Sequence, residues 1–396
     1  MSISIPATPI HHTPIEAKLP TIKVLGLGGG GQNAINRMIE LGLEGIEFIA
    51  ANTDAQVLQS CLAPTKIQLG PKLTRGLGAG GNPEIGEAAA EESYKELNEA
   101  LAGADMVFLT AGMGGGTGTG AISIAARVAK SLGAVVVAIV TTPFSFEMGR
   151  RSKNAREGLA KLQPFTDTLI SVPNDRLLQV APVDLPIEMA FRLADDILRQ
   201  GVQGISELIT QPGLINVDFS HIRNMMQNGG GSLLAIGTGK GENKAVQAVE
   251  HALHHPMLET INLESASGII ANFTGGDDLS FTEIMEALTY LQHKTNTYVD
   301  LIPGVITDQR MEGRAQVTLV ITGIGGSTMD SAMKFDPSRH SVKPAVDADA
   351  DVTNDETVVL HQSSTASIAV PQFEMAGTPA DLDVPAFLRR RIAVRS

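Results

Sequence analysis

Gly112-Met113-Gly114-Gly115-Gly116-Thr117-Gly118-Thr119-Gly120 lies between a strand-like run, Asp105–Thr110, and a helical one, Ala121–Lys130, and six of its nine residues are glycine. A loop of this composition packs no core. It offers backbone N–H groups that a ligand can approach closely, because no Cβ stands in the way. At the start of a helix those donors add to the helix dipole and make an anion site suited to phosphate. No Lys or Arg lies within the run, which excludes the P-loop pattern of a glycine loop ending in Gly-Lys-Ser/Thr. Phosphate charge here has to be met by backbone dipoles, hydroxyls and a bound cation.

Two more glycine runs precede it. Thr21–Leu27 reads as a buried strand leading into Gly28-Gly29-Gly30-Gly31-Gln32-Asn33 and a helix over Ala34–Leu41. Gly26, Gly28 and Gly31 also spell the dinucleotide pattern, which alone would suggest an NAD-dependent oxidoreductase. A strand over Ile46–Ala51 delivers Asn52-Thr53-Asp54 at its carboxyl end, and Gly76–Pro83 precedes a helix over Glu84–Ala102. Ala134–Thr141 reads as a strand, Lys153–Leu162 as a helix, and Thr168–Val172 as a strand carrying Pro173-Asn174-Asp175. Strands alternating with helices predict a Rossmann-like parallel sheet covered on both faces. Three glycine loops on one edge of it suggest a single nucleotide cradle.

Asp184 and Pro186 are start signals for an amphipathic pattern running from Ile187 to Ile209, a central helix of about 25 residues and ~37 Å. Within it Gly201 and Gly204 read as close-packing positions. From Gly213 the glycine loops give way to a second α+β pattern: strands over Gly231–Gly239, Gly268–Thr274, Thr297–Ile306 and Gln316–Thr322, with helices over Glu242–His254 and Phe281–His293. Ser280 and Glu283 make a capping box for the last helix. His254-His255 reads as a solvated helix end, since adjacent residues face different ways and no partner cluster is visible.

Beyond Ser331 the regular pattern stops, and Pro344–Leu388 holds no Lys or Arg against eight acids, the composition of a disordered acidic linker. The chain then reaches Asp381-Leu382-Asp383-Val384-Pro385-Ala386-Phe387-Leu388-Arg389-Arg390-Arg391, apolar residues beside a basic cluster, suited to folding onto a partner. The net charge of −13 argues against bulk nucleic-acid binding. A lone Cys61 excludes a disulfide framework and fits a reducing cytoplasm. The first twenty residues lack the pattern of a signal peptide. The longest apolar run, Ala134–Val140, has seven residues, far short of the ~20 needed for a membrane span.

Taken in order, Gly28–Asn33, Asn52-Thr53-Asp54-Ala55-Gln56, Gly76–Pro83, Gly112–Gly120, Pro143–Glu147, Pro173-Asn174-Asp175 and Asn216-Val217-Asp218-Phe219 resemble the motifs of the tubulin/FtsZ GTPase family, on its FtsZ side. The resemblance covers about residues 21–325 and resumes at 381–391. It implies a GTP-binding domain over 21–183, a central helix over 184–212, an α+β domain with a catalytic loop over 213–330, a disordered linker over 331–380 and an adaptor-binding tail over 381–396, after a disordered arm at 1–20. It implies phosphate binding by the loops that hold Gly28, Gly29, Gly30, Gly31, Gln32, Asn33 and Gly114, Gly115, Gly116, Thr117, Gly118, Thr119, with Ala79, Gly80 and Gly81 facing the γ-phosphate and Asn52 and Asp54 also in the GTP site. Glu147 and Arg151 match the ribose-side pair, and Pro143 also belongs to the GTP site. Asn174, Phe191 and Asp195 fall at the base, with Phe191 stacking and Asp195 accepting from guanine N1–H and N2–H₂.

The resemblance also implies GTP/GDP with Mg²⁺ carried by the nucleotide rather than by a dedicated protein site, and it leaves a monovalent cation open. It implies head-to-tail homopolymers of the bacterial division ring in the cytoplasm, with Asp218 and Asn216 supplied to the nucleotide of the next subunit. Membrane-tethering adaptors would bind Asp383, Pro385, Phe387, Leu388, Arg389 and Arg390. One departure stands out: where the family usually carries a second acid three residues after the first, this chain has His221. Histidine titrates near neutrality and supplies no fixed negative charge, so slower or pH-dependent turnover, or a scaffold that scarcely hydrolyses GTP, stay open beside the full GTPase.

Overall fold

The structure, a computed structural model, describes residues 19–324 apart from 148, 180–184, 211–217, 228–229, 255–262, 264–265 and 296–298. The expectations for most of the N-terminal arm, for Asn216 and His255, and for the linker and tail lie outside these residues. In chain order the elements are β1 (Ile22–Leu27), α1 (Gly28–Glu40), β2 (Ile46–Asn52), α2 (Ala55–Gln59), β3 (Thr65–Gln68), α3 (Pro71–Thr74), α4 (Pro83–Glu92), α5 (Tyr94–Leu101), β4 (Met106–Gly112), α6 (Thr117–Ser131), β5 (Val135–Thr142), α7 (Gly149–Leu162), β6 (Thr168–Pro173) and α8 (Asn174–Leu177). There follow α9 (Ile187–Thr210), α10 (Phe219–Gln227), β7 (Gly230–Lys240), α11 (Lys244–Leu253), β8 (Gly268–Gly275), α12 (Phe281–Lys294), β9 (Asp300–Thr307) and β10 (Arg314–Ile324).

The strands form one ten-stranded sheet in the order β3-β2-β1-β4-β5-β6-β7-β10-β8-β9. Its first six strands are parallel and follow the doubly wound order 3-2-1-4-5-6. Their apolar runs are explained by burial on both sides. Met106 and Phe108 of β4 enter one core with α1, α9 and α10, whereas Val107, Leu109 and Ala111 enter another beneath α4 to α7. Sheet continuity into the second half rests on a short parallel contact between β6 and β7, Thr168 to Ile170 against Gly230 to Ser232. Beyond it β10 runs antiparallel to both β7 and β8, and α11 and α12 cover a third core. The Ser280–Glu283 capping box is formed.

The 24-residue α9 lies across both halves. Its Leu198, Val202, Ile205 and Leu208 share a core with Ile139 of β5, Leu234 of β7, Ile270 of β8 and Val320 of β10. Each fully buried side chain of this size stabilises the packing by about 1.5–3 kcal/mol. Gly201 and Gly204 do bring the helix close to the sheet: a Cβ at Gly204 would stand 2.6 Å from Thr318 Cγ2 and one at Gly201 3.0 Å from Leu234 Cδ2.

Two expectations need correction. The helix expected from Ala34 begins at Gly28, so the glycine run is the first turn of α1 rather than a loop before it. The single helix over Glu84–Ala102 is broken into α4 and α5 at Ser93. There Ser93 Oγ accepts the Gly70 N–H (3.0 Å) and donates to the Gln68 carbonyl (3.3 Å), pinning the turn after β3. Ser93 thus spends its hydroxyl on another segment, and the helix restarts rather than continues.

Candidate nucleotide site

The strand order reverses between β1 and β4, which places a crevice at the carboxyl ends of those two strands. Both flanking helices, α1 and α6, start there inside glycine runs. Neither has a side-chain cap or an acid in its first turn. Uncapped first-turn N–H groups point out of both helices, and the two dipoles add at one spot.

The glycines are dictated by contact between the loops. A Cβ at Gly28 (φ +68°) would stand 2.8 Å from Gly118 N, and one at Gly30 3.0 Å from Gly112 N. At Gly29 a Cβ would meet nothing within 4 Å. Gly29 and Asn33 are exposed on this edge, while Gln32 and Asn52 are buried and bonded to each other through the Asn52 amide and Gln32 Oε1. Those two side chains brace the loops from beneath. Asp54 caps α2 through Oδ1, accepting from Gln56 N (2.9 Å) and Val57 N (3.1 Å).

The third glycine run joins the same cluster. Gly78 N donates to Thr53 O (3.2 Å), Thr53 and Thr117 hydroxyls meet at 2.5 Å, and a Cβ at Gly116 would stand 2.8 Å from that of Ala79. Gly80 and Gly81 both have positive φ and open space around them. Gly114 (φ +96°) donates its N–H to Thr119 Oγ1 (2.8 Å) and lies against Pro143 and Arg151. Asn154 on α7 ties the Gly114 carbonyl (3.3 Å) to that of Gly81 (3.5 Å). The three runs, separated by up to some ninety residues of chain, are therefore one cradle.

Glu147 and Arg151 form an ion pair beside it, and Glu147 Oε1 also accepts the Phe144 N–H at 2.8 Å. Beyond the pair lies an aromatic wall: Phe146 is stacked on Phe144 at 5.1 Å, and Phe191 of α9 meets Phe144 edge-on at 5.3 Å. Asn174, at the start of α8, is 5% exposed, and its Oδ1 has no hydrogen-bond partner among the described residues. A buried acceptor of this kind needs a donor, which a water or a ligand can supply. Asp195, one helical turn after Phe191, is half-buried. Burial pushes its carboxyl up to about 7; Arg37 on α1 pulls the other way, neighbouring Asp196 adds to the rise, and Arg192 opposes it.

Asp218 and His221 lie elsewhere. α9 starts beside Phe144 at the carboxyl edge of the sheet and ends with Thr210 against Gly45, just before β2, at the amino edge. α10 follows at that amino edge, where Thr168 Oγ1, at the start of β6, donates to the Met226 carbonyl (2.9 Å). Asp218 caps α10 through Oδ1 and Ser220 N (2.9 Å), and both Asp218 and His221 are exposed. The structure thus brings together the phosphate, ribose and base candidates and sets Asp218 and His221 apart from them.

Sequence reasoning assigned no individual role in this cleft to Asn82, Phe144, Phe146 or Asn154. Asn82-Pro83 carries a legible start signal, and Asn82 Oδ1 does cap α4 through Glu84 N (3.0 Å). Asn154 lies inside an ordinary polar helix and gave no signal. Among the described residues no cluster of His, Cys, Asp and Glu could hold a metal ion, and no helix is long and apolar enough to cross a membrane.

The residues suit a nucleoside phosphate, with exposed glycine backbone beside an aromatic wall. Comparison with known proteins agrees. Residues 21–182 match the Tubulin/FtsZ family, GTPase domain, and residues 230–325 match the FtsZ family, C-terminal domain. FtsZ from M. jannaschii, solved as an empty dimer, is 43% identical with a TM-score of 0.75, over 78% of this chain and 90% of that one. A mutant of the same protein is 44% identical with a TM-score of 0.75, over 77% of this chain and 92% of that one. CetZ2 from Haloferax volcanii, solved as a GTPγS-bound protofilament, shares the fold at 19% identity and a TM-score of 0.65, over 79% and 96%. With GTPase-domain and C-terminal matches that together span most of its described residues, the chain belongs to the tubulin/FtsZ family of GTPases.

Proposed function

We propose that the chain is a self-assembling GTPase that stacks head to tail and hydrolyses GTP at the junction between subunits. The observation that carries this reading is the separation of Asp218 from the glycine cradle. One lies at the amino edge of the parallel sheet and the other at its carboxyl edge, with the length of α9 between them, ~36 Å at about 1.5 Å per residue. A carboxylate placed there does not reach its own chain's phosphates. It meets those of a second copy when the amino edge of one subunit caps the carboxyl edge of the next.

Within that junction the first-turn N–H groups of α1 and α6, with Gly80 and Gly81, hold the phosphate oxygens and their developing charge. Asp218, through the oxygen that does not cap α10, accepts a hydrogen bond from a water and aims it at the phosphate. Asn174 and Asp195 select guanine, Asp195 by accepting from N1–H and N2–H₂, a pairing that adenine does not offer. Mg²⁺ carried with the nucleotide supplies charge neutralisation. The exposed His221, one turn from Asp218 on the same face of α10, favours a second reading, a filament scaffold with slow hydrolysis.

We further assign the filaments to the division ring of a bacterial cytoplasm, tethered to the membrane by adaptors that bind Asp383, Pro385, Phe387, Leu388, Arg389 and Arg390; this rests on the sequence of the tail. Deleting residues 381–396 should leave assembly intact and abolish adaptor binding, and a loss of GTP-dependent sedimentation would contradict it. The shared site is tested by mixing. Asp218→Ala carries an intact cradle, and Gly116→Val, whose side chain would overlap Ala79 and Asn82, carries an intact Asp218. Each alone should be inactive, and the mixture should recover turnover. A mixture no faster than the sum of its parts would overturn the shared site, and Asp218→Ala as fast as the unaltered chain would favour the scaffold.

A further inference from the structure

We propose that Asn154, on the second turn of α7, is a positioning residue for the terminal phosphate of GTP: its amide ties the Gly80–Gly81 turn to the Gly114–Gly115 turn, so that the free backbone N–H groups of both are in place when that phosphate arrives. The inference rests on the reading above that sets Gly80 and Gly81 on the transferred phosphate, and it deepens that reading. Its ground is where α7 places this side chain. The inward side of the helix is built from Ala155, Gly158, Leu159 and Leu162, all buried. Gly158 lets α7 settle on the start of α6, since a Cβ there would stand 2.5 Å from Thr119 Cγ2 and 2.8 Å from Met113 Cε. Asn154 lies one turn earlier on the same side, half-buried, and meets the glycine turns instead of the core.

Asn154 Nδ2 faces two carbonyls, Gly114 O at 3.3 Å and Gly81 O at 3.5 Å. Only the NH₂ end of an amide has two donors to offer, so this pair of acceptors fixes which way the side chain points. Gly114 is thereby held on both sides, because its N–H already donates to Thr119 Oγ1 at 2.8 Å. In a trans peptide the carbonyl and the N–H that follows it point in opposite directions. Holding the Gly114 carbonyl on Asn154 therefore turns the Gly115 N–H away from α7, and that N–H has no acceptor among the described residues.

The Gly80–Gly81 turn has less of its own to hold it. Both glycines have positive φ, a Cβ on either would meet nothing within 4 Å, and the turn is closed by Asn82 N donating to Ala79 O at 3.0 Å. The N–H groups of Gly80 and Gly81 have no acceptor among the described residues. Glycine loses more conformational freedom on ordering than any other residue, and an amide that orders the turn in advance removes that loss from binding. On the proposed placement only a third phosphate reaches this turn, so the ordering acts on a triphosphate and scarcely on a diphosphate.

The test is the affinity of the full chain, with Mg²⁺ and below its assembly threshold, for GDP and for the non-hydrolysable probe β,γ-methylene-GTP by titration calorimetry, with folding checked by thermal melting. Asn154→Leu keeps the size and removes the donors. It should bind the triphosphate roughly tenfold more weakly, the effect of losing two neutral hydrogen bonds of ordinary net strength, and GDP within about twofold of the unaltered chain. Asn154→Gln, which keeps the donors on a longer stem, should lie between the two. If Asn154→Leu does not fold, Asn154→Ala carries the same comparison. An unchanged triphosphate affinity, or both affinities lowered equally, would overturn the role of Asn154. Gly81→Val separates the two levels, since at φ +72° a β-branched residue distorts the turn itself. A selective loss of triphosphate affinity in Gly81→Val supports the placement of the turn whatever Asn154 does. Both affinities intact in that variant would overturn the placement, and the proposal with it.

Discussion

Asp195 sits in a conflict that binding relieves. In the ligand-free chain burial raises its carboxyl to about 7, so the native state holds a proton that the unfolded chain releases near pH 3.8. The sign follows: Asp195 contributes stability that is fully present below about pH 3.8 and is lost as pH rises through about 7. Asp195→Asn should therefore melt higher than the unaltered ligand-free chain at pH 8 while losing its preference for GDP over ADP; a lower melting temperature at that pH would contradict the burial argument. On the proposed base contact the two donors of guanine would supply what the protein withholds, so GDP affinity should climb from pH 6 to 8 and then level off. His221 makes an independent claim. If its missing negative charge limits turnover, His221→Asp should raise the rate several-fold at pH 7.5, measured as phosphate release under assembly conditions, whereas an equal rate would leave the histidine without a role in hydrolysis.

Among the elements, the glycine-rich helix starts carry the site, and their glycines divide into two kinds. Gly120 is packed between helices, and a Cβ there would overlap the Pro83 carbonyl and the Glu87 amide. Gly120→Ala should pry α4 from α6 and destabilise the fold by about 1–3 kcal/mol in chemical denaturation. Gly29, with open space and no positive φ, is free of such contacts. Gly29→Ala should leave ligand-free stability within about 0.5 kcal/mol and weaken GDP binding, and the reverse pattern would remove Gly29 from the phosphate surface. This distinction was not legible in the sequence, where both glycines belong to similar runs. What was legible is periodicity: the parallel strands, the long α9 and the capped α12 follow from apolar spacing and start signals. The early start of α1 escaped because a glycine run reads as loop unless neighbouring backbone holds it helical. The break at Ser93 escaped because it depends on a hydroxyl bonding to residues more than twenty positions away.

For the molecule as a whole, order along the chain and order in space diverge, and that divergence explains why only part of the site could be read in advance. The cradle residues cluster because the strand order puts β1 beside β4, a topology that alternating strands and helices suggest. The aromatic wall, where Phe191 of α9 meets Phe144, depends on where α9 crosses the sheet. The same crossing carries the chain from the nucleotide edge to the opposite edge before Asp218 is reached. A shared catalytic site makes turnover a property of the assembly rather than of the subunit, and its most direct test is GTP hydrolysis per subunit measured across protein concentration. The account predicts almost no turnover below a threshold and a steep rise above it that tracks polymer mass by light scattering; a rate per subunit independent of concentration would show that each chain hydrolyses GTP alone, and would contradict it.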